Sequence, residues 1–255
     1  MKQLWWILPM MALLACRVGQ AAEATAVQRL EAANVAYQSG AYAQAAEQYE
    51  TLLKEGYRSL ALHYNLGNAC YRLGKPGLAI LHYERARLYG PRDADVRHNL
   101  QVVRSQLPDD IEVLPPFFLR TWWNGLSLAL SANAWSLLSI VLIWLSAGGL
   151  ATWLLGHTRR LKQWGFGGGI VLFMLSLFTF ALSYNRNQLE INNKRAVIMQ
   201  SEVTLHSAPD TISTVVRQLH EGTTVELLDQ INQWYKVTLA NGEEGWLPAN
   251  TLERI

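Results

Sequence analysis

Two runs without a single charged residue, Ala134 to Gly156 and Gly165 to Tyr184, restrict the fold of this 255-residue chain more than any other feature. At a helical rise of about 1.5 Å per residue, each covers the roughly 30 Å hydrocarbon core of a bilayer. A soluble core helix of that length would keep a polar face, and neither run has one. Residues 134–156 and 164–184 are therefore read as transmembrane helices. The loop 157–163 between them carries Arg159, Arg160 and Lys162, which the positive-inside rule assigns to the cytoplasm. Arg186, Lys194 and Arg195 beyond the second span dilute that contrast. Two crossings return the chain to the side from which it came.

The first residues, MKQLWWILPMMALLAC, place Lys2 before an apolar run too short to cross a bilayer and broken by Pro9. Residues 1–24 are read as a signal peptide, with small-x-small cleavage sites ending at Ala21 and Ala24. Two alternatives stand beside it: lipidation of Cys16 within Leu13-Leu14-Ala15-Cys16, and an uncleaved anchor. With a leader and two spans, the expected location is the bacterial inner membrane, both soluble regions periplasmic and the short loop cytoplasmic. Residues 108–133 form a juxtamembrane segment in which Phe117, Phe118, Trp122 and Trp123 suit a helix at headgroup level, and 185–195 is a linker. Half of the residues are hydrophobic and 16% charged, as a mosaic of soluble and membrane pieces requires. A net charge of +2 is too small to imply a nucleic-acid partner, there is no dense basic stripe, and no such partner is expected.

Residues 25–107 contain a period of 34. Asn34 and Asn68, Tyr37 and Tyr71, Gly40 and Gly74, Ala45 and Ala79, and Tyr49 and Tyr83 all stand that far apart. Small residues at Ala33/Gly67 and Ala45/Ala79 let antiparallel helices approach, and Tyr49/Tyr83 fill the space between repeats. A further first helix, DADVRHNLQVVRSQL, ends at Pro108 and caps the stack. The segment YNLGNACYRLGKPGLAILHYERARLYGP resembles the tetratricopeptide repeat closely, which implies an all-α solenoid with a concave, peptide-binding face. By that resemblance Asn34, Tyr37, Gln38, Tyr64, Asn68, Tyr71 and Arg72 line the groove, where they can hydrogen-bond an extended peptide. Alanine at Asn68, Tyr71 and Arg72 is expected to spare the fold. The family's carboxylate clamp is not reproduced, since Leu30 occupies the first clamp-lysine position.

From Ala196 to Ile255 short alternating runs are broken by turn residues. Strands are expected at 203–205, 215–219, 223–228 and 234–239, in a barrel of five or six strands. Asn241-Gly242 signals a two-residue hairpin loop with both residues at positive φ. The opening AVIMQSEVTLHSAPD, the HEGTTVEL hairpin and QWYKVTLANGEEGWLP resemble the bacterial SH3 domain, an all-β barrel. Trp234, Trp246, Pro248 and Asn250 are its candidate ligand face. Polyproline is not the expected ligand, because Thr251 stands where the eukaryotic pattern has Tyr. The barrel, with its own hairpins, is expected to fold alone.

The six histidines show no HExxH or CxxC spacing, and RLGKPG lacks the phosphate-loop spacing. Neither span carries an ionisable group. No enzyme, cofactor or metal site is expected. From leader to barrel, the order of parts resembles the BatE proteins of the Bacteroides aerotolerance operon. That resemblance implies a non-enzymatic membrane scaffold working beside von Willebrand type A membrane proteins and a MoxR-type ATPase, in aerotolerance or envelope stress. The alternative function is a peptidoglycan-binding anchor that recruits a client.

Single cysteines introduced at Ser105 and Asn232, in a background lacking Cys70, should react with a membrane-impermeant maleimide added outside spheroplasts. One at Gln163 should not; the reverse pattern would invert the orientation.

Overall fold

The computed structural model describes residues 26–109, 111, 112, 115, 117–191 and 194–255. It divides into two compact units, one drawn from Met1–Val113 with Lys194–Ile255, the other Leu114–Asn193. The leader and Cys16 lie outside the described residues.

The first unit begins with antiparallel helices: α1 (26–38), α2 (Tyr42–Lys54), α3 (Leu60–Arg72), α4 (Pro76–Tyr89) and α5 (Ala94–Arg104). The 34-residue period fixes their ends. Gly40 and Gly74 take φ of +84° and +70°, a conformation disfavoured for residues with a Cβ. The next amide in each case, Ala41 or Lys75, reaches back to the carbonyl of Ala36 or Cys70, closing equivalent C-caps. Ser59 and Asp93 cap the starts of α3 and α5 by accepting from the amides of Leu62 and Val96. Ala33, Ala45, Ala79, Tyr49 and Tyr83 are buried, as the repeat pattern expects. A Cβ on Gly67 would lie 2.7 Å from the Tyr83 ring, so this helix pair closes only on glycine. Cys70 is buried beside it, and burial pushes its thiol up to about 11.

The period also repeats a hydrogen-bond triad. The Asn34 carboxamide oxygen accepts from the Tyr49 hydroxyl at 2.8 Å and from Asn65 Nδ2 at 2.8 Å. Thirty-four residues on, the Asn68 oxygen accepts from Tyr83 at 2.7 Å and from Asn99 Nδ2 at 2.9 Å. Each triad joins three helices through one oxygen, and satisfies phenols whose rings are buried.

The β part is one antiparallel sheet: β1 (Arg195–Ile198), β2 (Glu202–His206), β3 (Val215–His220), β4 (Thr224–Ile231), β5 (Trp234–Thr238), β6 (Glu244–Pro248) and β7 (Leu252–Arg254), in the order β3-β2-β6-β5-β4-β1-β7. Seven strands replace the expected five or six, because Arg195–Ile198 and Leu252–Arg254 pair with each other at one edge. Ala196, Ile198, Leu205, Leu219, Val237 and Leu247 all enter one core, so the sheet closes over it as an SH3-like fold does. Gly245 lies where a Cβ would meet Leu205 at 2.5 Å. The hairpin forecast at Asn241-Gly242 differs: only Gly242 has positive φ, and Leu239 N bonds to Glu243 O around a three-residue loop. The tight two-residue loop is Asn232-Gln233, closed by the Ile231–Trp234 pair, with Asn232 at φ 51°.

Repeats and barrel, expected to be separate modules, are parts of one unit. Ala196-Val197-Ile198 is a strand buried on both faces. Ala196 and Ile198 enter the barrel core, while Val197 enters the helical core. On Val197's side of the strand Arg195 reaches Glu84 of α4 at 3.0 Å. Glu84 has no exposed surface and also holds Arg87 at 2.7 Å and Arg104 of α5 at 2.6 Å. Around this centre Arg85 pairs with Glu253 at 2.9 Å, and Glu221 accepts from the amide of Gly77 at the start of α4. Asp109, just after α5, accepts from the ring and backbone nitrogens of His220 and from Thr223 at 2.5–2.7 Å. Burial would raise the Asp109 pKa, but these hydrogen bonds outweigh it and hold the carboxyl below its usual range.

The second unit is α6 (Phe118–Ser127), α7 (Ala132–Leu155) and α8 (Arg159–Ile191). Both long helices have the length and composition to cross a membrane, which suggests membrane association. α8 starts inside the expected loop and runs through most of the expected 185–195 linker. Small residues draw the pair together: a Cβ on Gly149 would lie 2.8 Å from the Cα of Gly169. Ser139 and Ser176 each donate to the other's carbonyl at 3.0 Å, and Ser146 donates to that of Gly169 at 2.8 Å. On α6, Phe118 and Trp122 are exposed, while Trp123 packs its ring edge-on against Phe178 of α8.

Removing one partner from a buried ionic cluster costs about 3 kcal/mol or more. Glu84→Ala should therefore lower the melting temperature of the detergent-solubilised chain by roughly 6–12 °C. A melt within about 2 °C of the parent would deny the cluster that role. Asn68→Ala, which strips Tyr83 and Asn99 of their acceptor, should cost about 1–3 kcal/mol in the same measurement.

Candidate peptide-binding site

Helices α1, α2 and α3 meet at the Asn34 triad. A cavity of about 220 Å³ lies there, lined by Asn34, Tyr37, Gln38, Tyr49, Asn65 and Asn68. It brings together four of the seven candidates: Asn34, Tyr37, Gln38 and Asn68. The other three lie along α3. Tyr64 accepts from Asn99 at 3.0 Å and packs on Tyr83, with centroids 5.9 Å apart. Tyr71 accepts from Gln106 Nε2 at 2.9 Å. It also lines a second cavity, of about 470 Å³, with Gln106 and the barrel's Ser201, His220 and Glu221. Arg72 donates to the Tyr42 hydroxyl at 2.6 Å and lies over its ring, and that ring meets Tyr37 edge-on at 5.2 Å.

The candidates therefore divide by what else they do. The oxygens of Asn34 and Asn68 each accept two hydrogen bonds inside the triads, so these residues build the groove as well as line it. Alanine at Asn68 would remove the oxygen that accepts from Tyr83 and Asn99. Gln38 and Arg72 are exposed and stand outside the triads. Tyr37 is half-buried, and burial raises its pKa, so it presents a neutral phenol. Together they offer a carboxamide, a guanidinium and a hydroxyl, a set that suits the alternating donors and acceptors of a peptide backbone. Asn65, Asn99 and Gln106 were not among the sequence candidates. The period already marked Asn65 and Asn99, which stand 34 apart, but their role is visible only once the helices are stacked.

On the barrel, Trp234, Lys236, Trp246 and Pro248 lie on the outward face of β5 and β6, opposite the inward Val237 and Leu247. Trp234 is paired with Pro248 across the strands and Lys236 with Trp246. Lys236 also bonds Glu244 at 2.6 Å. His206 of β2, the cross-strand neighbour of Trp246, sets its ring edge-on to Trp234 at 5.6 Å. Its buried Nδ1 has no hydrogen-bond partner among the described residues. Asn250 follows in a short 3-10 turn and is exposed. Trp234, Trp246 and Pro248 thus share one partly aromatic surface, and His206 joins them without having been forecast.

Comparison with known proteins agrees with these two shapes. Residues 30–95 match the tetratricopeptide repeat family and residues 201–253 match the bacterial SH3 domain family. Both are typically binding modules rather than catalysts. No curated protein matches the chain. The chain thus joins a tetratricopeptide-like helical region, two apolar helices and an SH3-like sheet, an architecture fit for binding protein or peptidoglycan at a membrane.

Proposed function

We propose that this protein is a membrane-embedded scaffold whose repeat groove captures an extended segment of a partner protein. The observation that carries this is the concave cavity among Asn34, Tyr37, Gln38 and Asn68, bordered by the exposed Arg72. The positive charges of Arg159, Arg160 and Lys162 support an orientation with groove and barrel outside the cytoplasm. Packing of residues 26–109 against 194–255 supports an even number of crossings, because both flanks of the apolar helix pair would then emerge on one side. A partner set of von Willebrand type A membrane proteins and a MoxR-type ATPase, and a role in aerotolerance or envelope stress, rest on the resemblance to BatE proteins alone. The outward Trp234 and Trp246 beside His206 favour a second reading, in which the barrel grips peptidoglycan and the repeats recruit a client.

A photo-crosslinking residue at Gln38 in the full-length protein should give a discrete adduct in native membranes. Tyr37→Ala with Arg72→Ala should reduce that adduct roughly tenfold or more, since each lost interfacial hydrogen bond costs about 1–3 kcal/mol. An undiminished adduct from the double variant would remove the groove as the binding site. Co-sedimentation of the full chain with purified sacculi, abolished by Trp234→Ala, would favour the anchor instead.

A further inference from the structure

The apolar side of α6 points away from most of what holds the helix in place. Phe118, Trp122 and Leu126 recur every four residues with Leu119 beside them, so they share one side of the helix. Phe118, Leu119 and Trp122 are 68%, 51% and 61% exposed among the described residues, and Phe117 joins Phe118 with ring centroids 5.0 Å apart. The contacts that secure α6 are mainly polar. Asn185 Nδ2 of α8 donates to Asn124 Oδ1 at 3.1 Å and to Ser127 Oγ at 2.9 Å. Trp135 Nε1 of α7 donates to the Ser127 carbonyl at 3.0 Å, and Ser127 has no exposed surface. A helix lying on a water-soluble core would be turned the other way, with its aromatic side against its neighbours and its amides in water.

These contacts also fix how far along α8 the helix sits. Asn185 is the first residue after the charge-free run that ends at Tyr184. Trp123 reaches back to Phe178, about 10 Å earlier along α8, and sets its ring edge-on there. α6 therefore straddles the level at which the apolar surface of α8 gives way to polar residues. The surface it adjoins is apolar as well, with Leu145, Met174 and Phe180 among the exposed residues of α7 and α8. A second helix packed on α6 would want small residues for close approach, and Phe118 and Trp122 hold one off. Tryptophan is instead favoured where hydrocarbon meets headgroups, since its ring is apolar and its N–H is not. Arg120, exposed on the polar side of α6, suits the phosphates of that layer.

We propose that α6 is a lipid-binding helix, tethered through Asn185 at the end of the α8 apolar run so that Phe118, Leu119 and Trp122 enter the boundary between headgroups and acyl chains. The site rests on the reading of α7 and α8 as membrane-embedded. It separates the aromatics that composition alone had grouped: Phe118 and Trp122 meet lipid, while Trp123 braces α6 on Phe178. Because Ser131 caps α7 four residues after α6 ends, the depth of α6 also sets where α7 begins.

The test uses full-length protein in vesicles of zwitterionic lipid, with Cys16 and Cys70 replaced by alanine and single nitroxide labels at Phe118→Cys, Trp122→Cys, Thr121→Cys and Leu145→Cys. Oxygen, which concentrates in hydrocarbon, should relax the labels at Phe118 and Trp122 more than a water-soluble nickel chelate does. The label at Thr121, on the opposite side, should show the reverse. Leu145 lies in the middle of α7 and tests the membrane reading separately: a water pattern there refutes that reading and this site with it. A hydrocarbon pattern at Leu145 with a water pattern at Phe118 and Trp122 overturns the placement of α6 alone. Labels at Phe118 and Trp122 reached by neither agent would mean a protein cover, the leader or a second copy, and would overturn it too. Asn185→Ala should shift the Phe118 ratio toward that of Thr121; an unchanged ratio would remove Asn185 as the tether.

Discussion

A carboxylate taken wholly out of water loses hydration worth several kcal/mol, and only close partners restore it. Glu84 is in that position, and its partners come from α4, α5 and β1. Satisfying the charge therefore sets three elements at once. Arg195 reaches it only if β1 runs along the helices, and that path turns Val197 into the helical core and Ala196 and Ile198 into the barrel. The surrounding contacts, Arg85 with Glu253, Glu221 with the amide of Gly77, and Asp109 with His220, need the same placement. Apolar burial fills this junction without saying where the sheet must sit. The ionic centre adds that direction, since its geometry is met in one register.

Much of this was legible from residue spacing. The 34-residue period gave the helices, the glycine caps and the small residue against Tyr83, because each depends on neighbours within one or two repeats. Alternation gave the central strands. What was misread depended on finer or more distant terms. Asn241-Gly242 carries the sequence signal of a two-residue loop, yet the turn takes in Ala240 and leaves only Gly242 left-handed. Asn232-Gln233 has no glycine and gave little warning of its tight turn. Polar residues after Tyr184 were taken for a linker, although a helix need not end where its apolar run does. The junction was invisible because Glu84 finds Arg195 across 111 residues, and one sequence carries no record of that pairing. Its local trace was the unbroken run Ala196-Val197-Ile198, where a strand with one wet face would have alternated.

The groove shows a related division. Asparagines at matching positions suggested ligand contacts, and they do border the cavity, but each oxygen already accepts from a tyrosine and from the next repeat's asparagine. A repeat array has to align its units, and a buried amide that joins three helices does so with directional bonds that apolar packing lacks. In the proposed function, selectivity toward a ligand would then fall to groups outside the triads, such as Gln38, Tyr37 and Arg72. The barrel follows the same rule: its inward residues hold the sheet, and its outward tryptophans are left for other contacts.

The unit built from both ends of the chain also has a history in time. A ribosome completes the repeats first, then α6, α7 and α8, and only then β1. At ~5–20 residues per second, that delay is on the order of ten seconds. Throughout it, Glu84 lacks Arg195 and the apolar patch that receives Val197 stays uncovered. Closure waits until both apolar helices have been made. A nascent chain stalled within α7 or α8 would thus keep that patch open to chaperones and proteases, and docking of the last strands would mark a molecule in which both apolar helices have been made.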